Sequence, residues 1–340
     1  MEDCLARSFR QKVEDWLRLP GIADGAGRLI LKGRERVRAA PTLSFAAREE
    51  CHDVLVADGD FTCENDCRFN REICARGHAR VGSGTQLQAL TAGQDVTLEE
   101  KVSVVRWVDS TGDMELKAGC RIGARVTSRK AVRLGIGAQA ASVFAPQVTT
   151  DGFSGVAFAA PPPDGDLPEI LPPESAPDQS EALARLGLQQ KRMEQLSSDC
   201  WLYRGRFEPS APLRIKTKLV VKGDCRLPGG SILAGDLRAD RSLFIGPASI
   251  CAGNLVAGRD ICLGRNCRFS GAIHAGGSLL LSEGTRGGDE RTMVAAYSVE
   301  ELAVDRDVAI SGKLASGERV VVVGPAAAEQ WRKSRGVKEA

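Results

Sequence analysis

Residues 213–285 read LRIKTKLVVKGDCRLPGGSILAGDLRADRSLFIGPASICAGNLVAGRDICLGRNCRFSGAIHAGGSLLLSEGT and repeat every six residues without a slip. One row is Leu213, Leu219, Cys225, Ser231, Leu237, Leu243, Ser249, Leu255, Ile261, Cys267, Ile273 and Leu279. Two residues on runs Ile215, Val221, Leu227, Leu233, Ala239, Ile245, Cys251, Ala257, Leu263, Phe269, Ala275 and Leu281. Two further on, glycine recurs at Gly223, Gly229, Gly235, Gly253, Gly271 and Gly277. Six is divisible by two but not by 3.6, so strands and not a helix keep both rows on one face. Short strands with two inward residues and a small residue at each bend describe a triangular parallel β-helix of about 18 residues per coil. Leu243, Ile261 and Leu279, eighteen apart, are then expected to stack in successive coils.

The same period appears earlier in the chain. Its inward rows start with Leu55, Phe61, Cys67, Ile73 and Ala79, beside Ala57, Cys63, Phe69, Ala75 and Val81. The register slips by one residue near Thr85–Ala89, and Gly82 and Gly84 are expected to form the corner that absorbs the slip. The expected organisation is an N-terminal amphipathic helix and lead-in over 1–42, a first β-helix arm over 43–138, a Pro-rich linker plus helix over 139–212, a second arm over 213–324 with a loop at 286–301, and a tail over 325–340. Residues 158–177 hold seven of the fifteen prolines, a composition for an extended connection. The fold class expected is all-β, with short flanking and linking helices. The helices are read at 3–18, with Leu5, Phe9, Val13, Trp16 and Leu17 on one face and Arg7, Arg10, Gln11 and Glu14 pointing away; at 178–198; and at 326–335, carrying Trp331.

Composition narrows the function. The chain has 340 residues and a net charge of +2, which argues against nucleic acid as a partner. No apolar run reaches the length of a membrane span, and the opening MEDCLARSFRQKVEDW has no signal-like apolar run, so a cytoplasmic chain is expected. Of eleven cysteines, Cys51, Cys63, Cys67, Cys120, Cys225, Cys251 and Cys267 fall at inward positions and act as small hydrophobes. Cys4, Cys74 and Cys262 fall off that phase and are expected to be the reactive thiols.

Residues 219–284, with the cadence GDLRAD, GNLVAG and GAIHAG, resemble the bactofilins, polymer-forming cytoskeletal proteins of bacteria. The resemblance implies a right-handed β-helix, a hand that a six-residue period alone does not specify. It also implies end-to-end self-association, a scaffold role in cell shape, other scaffold or cell-envelope proteins as partners, and no cofactor. This chain departs from that pattern in having two arms, helices at both termini and a loop within the second arm.

Other chemistries have weaker support. Ile245-Gly246-Pro247-Ala248-Ser249 and Leu263-Gly264-Arg265-Asn266-Cys267 also fit the hexapeptide-repeat acyltransferases, whose β-helix is left-handed and which use a His as base. His274 is the candidate for that role, and its position just after an inward row points it outward. Cys63 and Cys67 are the candidate metal ligands, without the second pair that a zinc site usually shows. Gly135-Ile136-Gly137 lacks the following helix of a dinucleotide site. The apolar residues Leu5, Phe9, Val13, Trp16 and Trp331 are expected to cap rod ends or mediate self-association. The N-terminal helix and the basic stretch Lys32–Arg38 could instead touch acidic lipid as a peripheral membrane contact.

Overall fold

A computed structural model describes residues 4–24, 27–33, 35–153, 169–170, 183–289 and 291–336. The chain divides into unit 1, Met1–Val148, and unit 2, Thr149–Ala340. Each unit is a parallel β-solenoid with three walls. In unit 2 the ladder Leu243↔Ile261↔Leu279 has the expected eighteen-residue step, and all three side chains are fully buried.

The first turn of unit 1 is built from β1 (Ile22–Asp24), β2 (Gly27–Lys32), β3 (Glu35–Ala40), β4 (Leu43–Phe45) and β5 (Glu50–Cys51). Strand β3 starts the wall that continues through Val54–Ala57, Ile73–Ala75, Leu90–Ala92, Trp107–Ser110 and Arg125–Ser128, here called wall A. The solenoid therefore begins before residue 43. It also extends past residue 138, because the strand Gln139–Thr150 pairs with the preceding turn.

The one-residue slip lies where the sequence indicates, but its corner differs. Gln86 pairs with Arg68, eighteen residues back, whereas Leu90 pairs with Ile73, seventeen back. The missing residue belongs to the bend Gln88–Ala89, not to Gly82 or Gly84. Ala89 is fully buried there, and a shorter corner keeps Leu90 inward.

Two columns of residues explain the recurring Gly-Asp and Gly-Asn pairs. Asp236 Oδ1 accepts the Asn254 amide at 2.8 Å, and Asn254 Oδ1 accepts the Ala272 amide at 2.8 Å. The same bond recurs from Asp60 to His78 and from Asp95 to Asp113 in unit 1. Each side chain thus satisfies a corner N–H one turn on, where the ladder has none to offer. The glycine before it is required by close approach. A Cβ on Gly253 would lie 2.2 Å from the Gly235 carbonyl oxygen, and one on Gly271 would lie 2.3 Å from that of Gly253.

Inward hydroxyls and thiols form a third column. Ser231 donates to Pro228 O at 2.8 Å, Ser249 to Gly246 O at 2.8 Å, and Cys267 to Gly246 O at 3.2 Å. Cys67 does the same to Ala46 O at 3.0 Å in unit 1. A small donor at this place feeds a corner carbonyl that would otherwise be buried without a partner.

Two expected elements are different. The helix expected over 178–198 is cut short: residues 183–185 are helical, Gln190–Arg192 is a 3-10 turn, Met193–Ser197 is a strand antiparallel to Cys200–Tyr203, and residues 178–182 lie outside the described residues. Leu183, Leu186 and Leu188 are buried, but Leu196 is exposed, so the apolar spacing read as one helix face is divided between two structures. Half of the loop expected at 286–301 is strand. Arg286–Gly287 and Val294–Ser298 keep their places in two walls, and only a short excursion separates them. Within it Asp289 Oδ1 accepts the amides of Arg291 and Thr292.

The stacking constraint predicts the outcome of one substitution pair. Gly253→Ala should destabilise the protein by about 1–3 kcal/mol, the cost of overpacking. Gly324→Ala, where an added Cβ meets nothing within 4 Å, should be close to neutral. Urea denaturation of both variants measures the contrast, and equal midpoints would contradict the close-approach account.

Candidate functional site

The surfaces available for function follow from which strand edges and outer rows are covered. In unit 1 the free side of β3 is paired with β2 over five residue pairs, and β2 carries β1 beyond it, both antiparallel. Among the described residues, β4 pairs only with Phe61–Cys63 and β5 only with Arg68–Phe69. Among the described residues nothing pairs with their other edges. The Leu43 amide donates back to Asp60 O and the Phe45 carbonyl accepts from Glu64, which turns the Ser44 N–H and C=O toward the open side. Behind this edge Phe45 packs on Phe69 and Phe61, with centroids at 5.0 and 5.9 Å. Ile22 and Leu31, on the flanking hairpin, are 67% and 58% exposed.

In unit 2 the corresponding start is more fully covered. Met193–Ser197 lies along Cys200–Tyr203, and Glu169–Ile170 lies along Arg214–Ile215. Trp201 and Tyr203 are buried, and Tyr203 meets Phe207 edge-on at 5.1 Å. Edges are blunted by hairpin strands, a device that leaves no helix needed across a rod end.

The two helices cover flanks. α1 (Cys4–Leu17) buries Phe9, Val13 and Trp16 on the outer face of wall A, against Val54, Val56, Cys74, Ala89 and Trp107. These residues belong to successive turns, and Ile30 of β2 and Val37 of β3 join the same cluster, so α1 lies across the first turn's hairpin and several further coils of wall A. The side chains of Leu5 and Cys4 lie outside the described residues. Arg10, expected to point away, turns inward. Its Nε donates to Thr91 Oγ1 at 2.9 Å and its Nη2 to Asp109 Oδ2 at 2.5 Å. Thr91 and Asp109 continue the outer row Ala39, Val56, Cys74. Arg76 pairs with Glu14 at 2.6 Å at the rim.

Unit 2 uses the same arrangement. α2 (Pro325–Ser334) sets Ala328 and Trp331 on the outer row Phe244, Cys262, Leu280 and Ala303 of the wall here called wall B. Trp331 is therefore a flank residue too. These covered rows were legible in part. Leu243-Phe244-Ile245, Ile261-Cys262-Leu263, Leu279-Leu280-Leu281 and Leu302-Ala303-Val304 are apolar at the middle, outward position, which marks a strand buried on both faces.

This geometry corrects the expectation for two cysteines. Cys74 is 6% and Cys262 2% exposed, each under a helix. Burial pushes the Cys74 thiol up to about 11, Cys63 and Cys267 to about 12, and Cys120 to about 11. Burial raises Cys225 and Cys251 as well. Cys63 and Cys67 are both buried in the solenoid, and among the described residues no group of three His, Cys, Asp or Glu side chains is placed to hold a metal. His274 is exposed on its strand and stacks on Tyr297 with centroids at 5.2 Å; among the described residues no hydrogen bond or ion pair joins it to a carboxylate. No described helix is long and apolar enough to cross a membrane. No family model, no curated protein and no solved structure matches this chain.

Two measurements check these assignments. Cys74 should resist alkylation in the native protein, and Trp16→Ala, which weakens α1 by about 3–5 kcal/mol of packing, should speed it at least tenfold. Fast alkylation of Cys74 in the unaltered protein would contradict the docked helix. The second concerns pH. Above the ordinary thiol value of 9.0 the unfolded chain releases protons that the folded chain keeps, so stability is full below that value and falls as pH rises toward 11–12. Each buried thiol contributes up to about 1.4 kcal/mol per pH unit. Urea midpoints should drop between pH 8 and pH 10, and Cys267→Ser should lessen the drop; a midpoint independent of pH would contradict it.

Proposed function

We propose that this protein is a bactofilin-like cytoplasmic scaffold that self-associates through strand edges and organises partners along its walls. The observation that carries the reading is the open edge of β4 and β5 in unit 1, backed by the Phe45–Phe61–Phe69 cluster. An exposed row of backbone donors and acceptors over an apolar plug is a template for pairing with a second copy. The repeated wall surface supports the rest: each turn presents the same outward positions, which suits binding other scaffold or cell-envelope proteins at regular spacing. The exposed Arg7 and Lys12 of docked α1 offer a contact for acidic lipid that does not require the apolar face to leave wall A.

Ser44→Pro tests the proposal. Proline removes the Ser44 N–H from the open edge while the bonds of Leu43 and Phe45 to the next turn remain. The full-length protein should sediment as concentration-dependent assemblies, and Ser44→Pro should shift the distribution toward the monomer at equal concentration. A full-length protein that stays monomeric over the whole range, or a variant with an unchanged distribution, would count against edge-mediated assembly.

A further inference from the structure

Along wall B of unit 2, next to the end of α2, lies a cleft of about 650 Å³. Its walls combine apolar surface from Phe244, Ile245 and Pro247 with four arginines, Arg206, Arg226, Arg265 and Arg332, and one acid, Glu208. The acid is engaged by Arg206 at 2.7 Å. Arg265 pairs with Glu283, which is not part of the lining, at 3.9 Å. The lining is thus strongly cationic.

Arg226 is the central group. Its guanidinium lies over the Phe244 ring, 4.2 Å from the centroid, and its Nη2 donates to Gly336 O at 2.9 Å. Its Nε–H is buried without an acceptor, and no carboxylate pairs with it among the described residues. A half-buried guanidinium held flat by an aromatic ring, lining the cleft with no carboxylate paired to it among the described residues, keeps its charge for the cleft. Arg332, only 5% exposed, is anchored by its bond to Ser282 Oγ. The lining includes the corner glycines Gly246 and Gly264, fixed as glycine by stacking: a Cβ at Gly246 would lie 2.2 Å from Gly229 N, and one at Gly264 would lie 2.6 Å from Pro247 N. The volume is that of a small-molecule site.

We propose that this cleft binds a phosphate group carried next to an apolar moiety, with Arg226 as the principal phosphate contact and Phe244, Ile245 and Pro247 receiving the apolar part. Guanidinium groups match phosphate in charge and in hydrogen-bond geometry, and the apolar lining adds a preference that inorganic phosphate does not exploit. A free phosphate ester and a lipid headgroup present the same phosphate chemistry to Arg226, and the probes below distinguish them.

Calorimetric titration of the full-length protein with phenyl phosphate and with inorganic phosphate, together with co-sedimentation on phosphatidylglycerol and on phosphatidylcholine vesicles, tests it. Phenyl phosphate should bind at least fivefold more tightly than inorganic phosphate, and Arg226→Gln should weaken it at least tenfold. Arg238→Gln, an exposed charge on another wall, should have no effect. Ser210→Glu adds a negative charge at the exposed rim of the cleft and should also weaken binding, which covers the case in which Arg226→Gln fails to fold. Binding to phosphatidylglycerol vesicles alone, lost in Arg226→Gln, would support the cleft and assign the phosphate to a lipid. Absence of binding to every probe, or equal losses in Arg226→Gln and Arg238→Gln, would overturn the proposal.

Discussion

Every feature of this protein depends on the parallel pairing of each turn with the one before it. Parallel strands about 4.8 Å apart leave room for one backbone and no more, so any residue at a corner is judged against its counterpart one turn earlier. Gly253 is glycine because Gly235 O occupies the place of a side chain. Asn254 is a short acceptor because the next corner amide lies within its reach. Ser231, Ser249 and Cys267 are small donors because corner carbonyls face the core there. The repeat is the imprint of that stacking on the chain.

The same constraint creates the problem that the remaining elements address. A solenoid does not close on itself, so its ends expose ladder groups and its walls expose long rows of outward positions. In unit 1 the antiparallel β1–β2–β3 hairpin covers one wall of the first turn and leaves β4 and β5 open on one side. In unit 2 Met193–Ser197 and Glu169–Ile170 do the corresponding work. The helices serve another purpose, each covering an outer row that is unusually apolar. Arg10 adds specificity to that docking, since its partner Asp109 would be costly to bury alone.

The bare corners have a functional consequence as well. Stacked corner glycines also line the cleft beside wall B, and α2 ends next to it. A cationic cleft arises from a packing rule acting on the backbone, together with arginines placed on outward positions by the same period. The proposed edge pairing and the proposed cleft binding would use different surfaces, one in unit 1 and one in unit 2.

The period by itself determined the solenoid, its eighteen-residue step and nearly all of its inward side chains, because alternation and burial are properties of neighbouring residues in a strand. The slip near Thr85–Ala89 was visible for the same reason. Only the tertiary structure decided what covers the outward rows. An amphipathic helix announces an apolar face without naming its counterpart, so α1 read as an end cap, with a membrane contact as the alternative, until Val56, Cys74 and Trp107 appeared beneath it. Cys74 and Cys262 were misjudged on that account: outward in a strand is not exposed when a distant segment packs over it. Residues 193–198 were misread as helix because Met193 and Leu196 at helical spacing carry no record of the strand Cys200–Tyr203 that pairs with Met193–Ser197. The arginine cleft was silent in the sequence altogether, since Arg226 and Arg332 meet only when α2 folds back along wall B, and long-range proximity of that kind leaves no local pattern.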